Sequence, residues 1–190
     1  MSNDLTRNQL FFKGLLKDII SNPTKNNQYS IPFGLNLINY DLFDEDIQNI
    51  TNLIILTDKF NCLNIRLSDT LSDSSTLNKL LRKISLKRQF TSLGFYLKYL
   101  DESLLSVFLD FIGELKESVT TLKIMVKYRE NSKEEEIVEK ILGNILKNEG
   151  GGLENLDLSN CKIGTKKSME FLEKIIIKNK NLKKLVSPSI

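Results

Sequence analysis

The chain contains no histidine and no tryptophan, and only two cysteines among its 190 residues. Without histidine it lacks the side chain most used as a general base near neutral pH and the commonest metal ligand. Cys62 and Cys161 cannot build a zinc site by themselves. Two cysteines also fall short of the density of a secreted disulfide scaffold. Long apolar runs are missing too. The stretch from Leu10 to Ile20 is interrupted by Lys13, Lys17 and Asp18, unlike the core of a signal peptide. No run approaches the roughly 20 residues of a membrane span. Asn49-Ile50-Thr51 spells a glycosylation sequon, which carries no weight without a secretory signal. The expectation is a soluble protein of a reducing compartment, the cytoplasm.

Charge of one sign is not in excess. The 27 basic and 24 acidic residues leave a net charge of +3 and are mostly interspersed, which argues against a nucleic-acid partner. No Gly-rich phosphate loop, catalytic carboxylate pair or metal-ligand spacing stands out. Gly150, Gly151 and Gly152 precede a strand pattern rather than a helix, so they do not cradle a nucleotide. These absences point away from an enzyme, a cofactor and a small-molecule substrate.

What is present is a repeat. Leu153-Glu154-Asn155-Leu156-Asp157-Leu158-Ser159-Asn160-Cys161-Lys162-Ile163 reads LxxLxLxxCxI. The same frame recurs at Val119, Leu122 and Ile124, at Phe90, Leu93 and Phe95, and at Phe60, Leu63 and Ile65. It is also present at Leu35, Leu37 and Leu42, with Pro32 in the first slot, and it reopens at Leu182 and Leu185. The frame centres fall at 35, 63, 93, 122, 156 and 185, with spacings of 28, 30, 29, 34 and 29 residues. A fixed period of this size is the signature of a solenoid. Between frames lie helix-period segments at 44–59, 73–87, 101–116, 132–148 and 165–180. Asp44 and Asp101 read as N-caps, and Ser132 with Glu135 as a capping box.

A single unit cannot bury both its strand and its helix, so the units must stack. The predicted fold is α/β, a solenoid of about five or six repeats with short parallel strands on the concave face and helices on the convex face. Residues 31–190 form the array. Residues 1–30 supply a linker and an N-terminal amphipathic helix, from Leu5 to Ile20, that caps the first repeat. The array closes on Val186-Ser187-Pro188-Ser189-Ile190, where Pro188 suits an edge strand.

LENLDLSNCKIG at 153–164, with the 28–30 residue period and a full helix per unit, resembles the ribonuclease-inhibitor class of leucine-rich repeats. That resemblance covers about residues 31–187. It implies a binding module that engages a partner protein through its concave face and flanking loops, and a mode of action in which an enzyme's active site is occluded. The class usually carries Asn or Cys at the ninth position of the strand-turn unit. Here that position holds Tyr40, Ser68, Lys98, Lys127 and Cys161, so the internal ladder between turns should be irregular. Degenerate repeats, short length and abundant Asn, Lys and Ile also resemble repeat effectors that intracellular bacteria inject into host cells. This second resemblance implies action in a host cytosol. The alternative function is an adaptor that joins a bacterial effector or ubiquitin-type machinery to a host protein through the same face and a second surface.

Strand alternation turns Asn36, Ile38, Asn64, Arg66, Gly94, Tyr96, Lys123, Met125, Asp157 and Ser159 to the concave face. Arg66, Tyr96 and Met125 centre the expected binding stripe, because these residue types are enriched at interfaces. Six strands of four to five residues offer roughly 400 Å² of projected area, short of the about 800 Å² per partner of a standard interface. Adjoining loops should therefore contribute, through Tyr40, Tyr99 and Tyr128. Cys161 fills a structural slot and Asp157 is an ordinary strand residue. Lys178 to Lys184 read as a solvated helix end more readily than as a phosphate site. The first helix caps the array more readily than it lies on a membrane.

Overall fold

The computed structural model describes residues 33–56, 60–87, 89–115, 117–128, 131–147 and 152–187. The expected N-terminal capping helix, the 1–30 segment and Pro188 lie outside these residues. Strands β1 (Phe33–Leu37), β2 (Phe60–Ser68), β3 (Ser92–Lys98), β4 (Thr121–Lys127), β5 (Asn155–Asn160) and β6 (Lys184–Val186) alternate with helices. The helices are α1 (Asp44–Leu56), α2 (Ser74–Leu86), α3 (Glu102–Gly113), α4 (Asn131–Lys147) and α5 (Lys166–Lys178). The strands form one sheet in the order β1-β2-β3-β4-β5-β6, every neighbouring pair parallel. The helices line the other side, each packed against the next. The chain is a leucine-rich-repeat-type solenoid.

Register is the strongest agreement with the repeat frame. Leu35 pairs with Leu63, Leu63 with Leu93, Leu93 with Leu122, Leu122 with Leu156 and Leu156 with Leu185. All six frame centres thus stand in one row across the sheet. Parallel strands in α/β layers bury one face under helices, so this row and its i+2 neighbours must be apolar. Leu63, Ile65, Leu93, Phe95, Leu122, Ile124 and Leu158 have no exposed surface. The helices meet them with stripes at helical spacing: Leu77, Leu80, Leu81 and Ile84 on α2, and Leu104, Leu105, Phe108, Phe111 and Ile112 on α3. In the third unit the Phe95 ring stands edge-on to Phe108 at 5.1 Å and to Phe111 at 5.7 Å.

Caps set the helix starts, with one correction. Asp101 caps α3, its carboxylate accepting from the Leu104 N–H at 2.8 Å. Asp73 and Thr165 cap α2 and α5 in the same way. Asp44 is instead the first residue of α1 and does not cap its own helix. Its carboxylate accepts from the Ser72 hydroxyl at 2.6 Å and from the Ser72 and Asp73 N–H groups of the next unit. The α1 start is served by Asp46, which accepts from the Phe43 N–H at 3.0 Å. Of the expected capping box, the Ser132 side chain lies outside the described residues.

The polar ladder between turns is irregular, as the ninth-position residues predict. The Thr70 hydroxyl donates to Leu42 O at 2.6 Å, the Tyr128 phenol to Leu100 O at 3.1 Å and the Cys161 thiol to Ile124 O at 3.2 Å. Each side chain satisfies a carbonyl of the preceding unit, and no two of them are chemically alike. Gly152 meets a different demand. A Cβ there would collide with the backbone of Glu117, so the chain re-enters the array where only glycine fits.

Leu156→Ala, at 1% exposure, should cost about 2–5 kcal/mol in a urea titration. A loss below about half a kcal/mol would mean that Leu156 is not a core position. The second expectation is acid-linked. Hydrogen bonds from the Thr76 hydroxyl, then the Ser75 hydroxyl and Ser75 N–H, hold the Asp73 carboxyl down at about 2, against the ordinary 3.8. A depressed folded-state value means that the cap stabilises above the ordinary value and loses that contribution as pH falls towards about 2. The difference in melting temperature between wild type and Asp73→Ala should therefore be full at neutral pH and shrink below pH 4. A pH-independent difference would sink the assignment.

Candidate partner-binding face

The concave face is the side of the sheet turned away from the helices. On it, register builds rows across the strands. Asn36, Asn64, Gly94, Lys123 and Asp157 form one row. Arg66, Tyr96, Met125 and Asn160 form the next. Ser68, Lys98 and Lys127 form a third, at the C-terminal ends of the strands.

The structure brings Arg66, Tyr96 and Met125 into one continuous stripe. Arg66 is more committed than alternation alone suggests. Its Nε donates to Ile38 O at 3.0 Å and its Nη1 to Asp41 Oδ1 at 2.9 Å, while its guanidinium lies 5.0 Å from the centre of the Tyr96 ring. A guanidinium over a ring face is favourable, so Arg66 orients Tyr96 and presents only part of itself. Met125 accepts a contact from the Asn160 amide at 3.3 Å. Ile38 is half-buried and Asn36 exposed, its amide oxygen accepting from the Ile38 N–H at 3.4 Å. Asn64 lies over Gly94, where a Cβ would collide with its amide oxygen. Lys123 and Asp157 neutralise each other at 3.1 Å. Burial is the largest single influence on the Asp157 carboxyl and raises it. Hydrogen bonds from Ser159 and from Lys123 outweigh burial and hold it below the ordinary carboxylate value.

Three placements differ from the alternation pattern. The slot beside Met125 belongs to Asn160 and not Ser159, because the β4–β5 register shifts between Lys123 and Met125. Ser159 instead donates its N–H to Asp157 at 3.0 Å. Such a shift leaves no mark in composition. Tyr128 does not reach the concave surface. It is 9% exposed, its phenol satisfies Leu100 O, and burial pushes that phenol up to about 12. Beyond the last strand residue alternation no longer governs direction, and this ring fills the turn. Tyr99 has a left-handed backbone, φ 56°, which aims its N–H at Lys127 O, 3.2 Å away. Its ring packs edge-on to Tyr128 at 6.2 Å. Of the three loop tyrosines Tyr40, at 36% exposure, is the most open. The central strands are also longer than expected, at nine residues in β2 and seven in β3 and β4. The projected face grows to roughly 550 Å².

Among the described residues, no group of three or more His, Cys, Asp or Glu side chains is placed to hold a metal ion. A groove of about 200 Å³ between α2 and α3, lined by Asn78, Arg82, Ser85, Asp110 and Glu114, is smaller than a typical small-molecule site. No helix among the described residues is long and apolar enough to cross a membrane.

The sequence matches no protein-family model and no curated protein. Among solved structures, the chain is similar to the tropomodulin C-terminal domain from Caenorhabditis elegans, with a TM-score of 0.56 and 11% identity. The match covers 86% of this chain and 92% of that one. The likeness extends to the fold, which is also of the leucine-rich-repeat type.

Cys62 and Cys161 are free thiols in different environments. Burial pushes the Cys161 thiol up to about 12, whereas Cys62 is half-exposed on the concave face. Ellman's reagent at pH 8 should therefore label one thiol in the native protein and two after denaturation without reductant. Rapid labelling of both in the native state would contradict the placement of Cys161, and zero labelling of a denatured monomer would contradict the strand order.

Proposed function

We propose that this chain is a protein-recognition module whose partner seats on the concave face, and that it acts by binding rather than by catalysis. The observation that carries the reading is the stripe of Arg66, Tyr96 and Met125, contiguous in register on the face opposite the helices. Tyr96 offers a large, partly exposed ring held in place by Arg66, so little entropy is lost when a partner covers it. Met125 adapts its shape to what it meets. Asn36, Asn64, Lys123 and Asp157 supply polar contacts beside the stripe, and Tyr40 extends the surface at the rim. The resemblance of residues 153–164 to the ribonuclease-inhibitor class supports a finer version, in which the seated partner is an enzyme whose active site is covered.

The reading is tested with a partner recovered by pull-down, identified by mass spectrometry and titrated by calorimetry. Tyr96→Ala should weaken binding by at least about 1–2 kcal/mol with a nearly unchanged melting temperature. A Lys183→Gln/Lys184→Gln variant should alter little beyond salt dependence. The reverse pattern, with the lysine pair essential and Tyr96 dispensable, would move the site to the basic end of the array.

A further inference from the structure

The charged residues of the strands are Arg66, Lys98, Lys123, Lys127, Lys184 and Asp157, five cations against one carboxylate. Their side chains all alternate away from the buried leucines, so the excess stands on the concave face. The whole chain is nearly balanced at 27 against 24. Folding has therefore sorted by face a charge that looks evenly mixed along the sequence. Two of the cations are neutralised internally, Arg66 by Asp41 at 2.9 Å and Lys123 by Asp157 at 3.1 Å.

Among the described residues, Lys98 and Lys127 have no such partner. They are register partners at the ends of β3 and β4, with backbones about 5 Å apart, and side chains of like charge on opposed strand positions destabilise the pair. No carboxylate among the described residues forms an ion pair with either. Among the described residues, the acidic groups close to them in sequence have other tasks. Asp101 caps α3 and Glu134 accepts from the Tyr128 N–H at 3.3 Å. Lys98 has a weaker compensation, its Nζ lying over the Tyr99 ring 5.7 Å from the ring centre. Along the same two strands, two residues earlier, stand Tyr96 and Met125. The face thus sets an apolar row about 7 Å from a cationic row that has no carboxylate partner among the described residues.

We propose that the concave face takes an acidic protein segment, with an aromatic or aliphatic side chain over Tyr96 and Met125 and Asp or Glu side chains over Lys98 and Lys127. This rests on the concave-face reading above and gives its partner a chemistry. Residues i and i+2 of an extended segment lie about 7 Å apart on one side, so an apolar–x–acidic pattern running along the strands matches both rows. A nucleic-acid strand fits less well. Asp41 and Asp157 stand on or beside the same face and would repel phosphates, and the middle row offers apolar contact where a backbone needs charge.

The test is selection of random peptides from a display library on the immobilised wild-type protein, followed by titration of the selected peptides in solution. The expected outcome is enrichment of Asp and Glu close to an aromatic or aliphatic residue. A Lys98→Gln/Lys127→Gln variant should lose about tenfold or more in affinity for those peptides, with the loss shrinking as salt rises. Lys183→Gln/Lys184→Gln should change affinity by less than about twofold, as a charge outside the contact does. The Lys98/Lys127 variant should melt no lower than wild type, since it relieves a like-charge pair, and this check separates lost binding from lost folding. Selected peptides without acidic excess, or acidic peptides indifferent to Lys98 and Lys127, would overturn the charge assignment. If such peptides still fail on Tyr96→Ala, the concave face stands while its acidic specificity falls. Peptides that bind Tyr96→Ala as well as wild type would defeat the face itself. No enrichment at all, or a short oligothymidylate that binds more tightly than every selected peptide, also counts against the proposal.

Discussion

Every other feature of this molecule depends on parallel pairing in one register. Leu35, Leu63, Leu93, Leu122, Leu156 and Leu185 stand side by side across six strands. A parallel pair needs a crossover between its strands, and here each crossover is one helix long. The row of leucines therefore fixes which side the helices must cover, since that side carries the continuous apolar rows. It also fixes what remains open. A one-residue slip would turn Tyr96, Lys98 and Lys123 into the core and the leucines outward. The cost of that exchange makes the concave face a defined surface.

Polar ties between turns vary freely around this constant. A hydroxyl from Thr70, a phenol from Tyr128 and a thiol from Cys161 each satisfy a carbonyl of the unit before. Buried carbonyls demand a donor but do not specify which one. A repeat can lose its consensus residue and remain stable, provided some donor reaches the same place. Asp44 makes a similar link at the helix starts by serving the next unit.

The open face divides its charges between two uses. Arg66, Asp41, Lys123 and Asp157 are spent on one another, and the first of these pairs also steadies the Tyr96 ring. Lys98 and Lys127 have no such outlet among the described residues. Surface ion pairs add little stability, so the internal pairs serve mainly to orient side chains. The uncompensated lysines are a mild cost of folding that a partner could offset.

The repeat itself was legible from residue order alone, and so were the frame centres, the alternation of strand and helix, the Asp101 cap and the burial of Leu122, Leu156, Leu158 and Cys161. All follow from burial of periodic apolar positions, which leaves a mark in one dimension. The irregular ladder was legible too, because the missing Asn and Cys residues are themselves a sequence feature. Only the tertiary structure decided that Asn160 replaces Ser159 beside Met125, that Tyr128 turns inward, that Asp44 reaches across to the next unit and that Arg66 is held by Asp41. The side-by-side placement of the cations Lys98 and Lys127 belongs to the same set. Each depends on which residues from units about 30 positions apart meet in space. Periodicity predicts that such units touch, but the contact between two particular side chains depends on strand register, on the exact point where a strand ends and on the volume left in a turn.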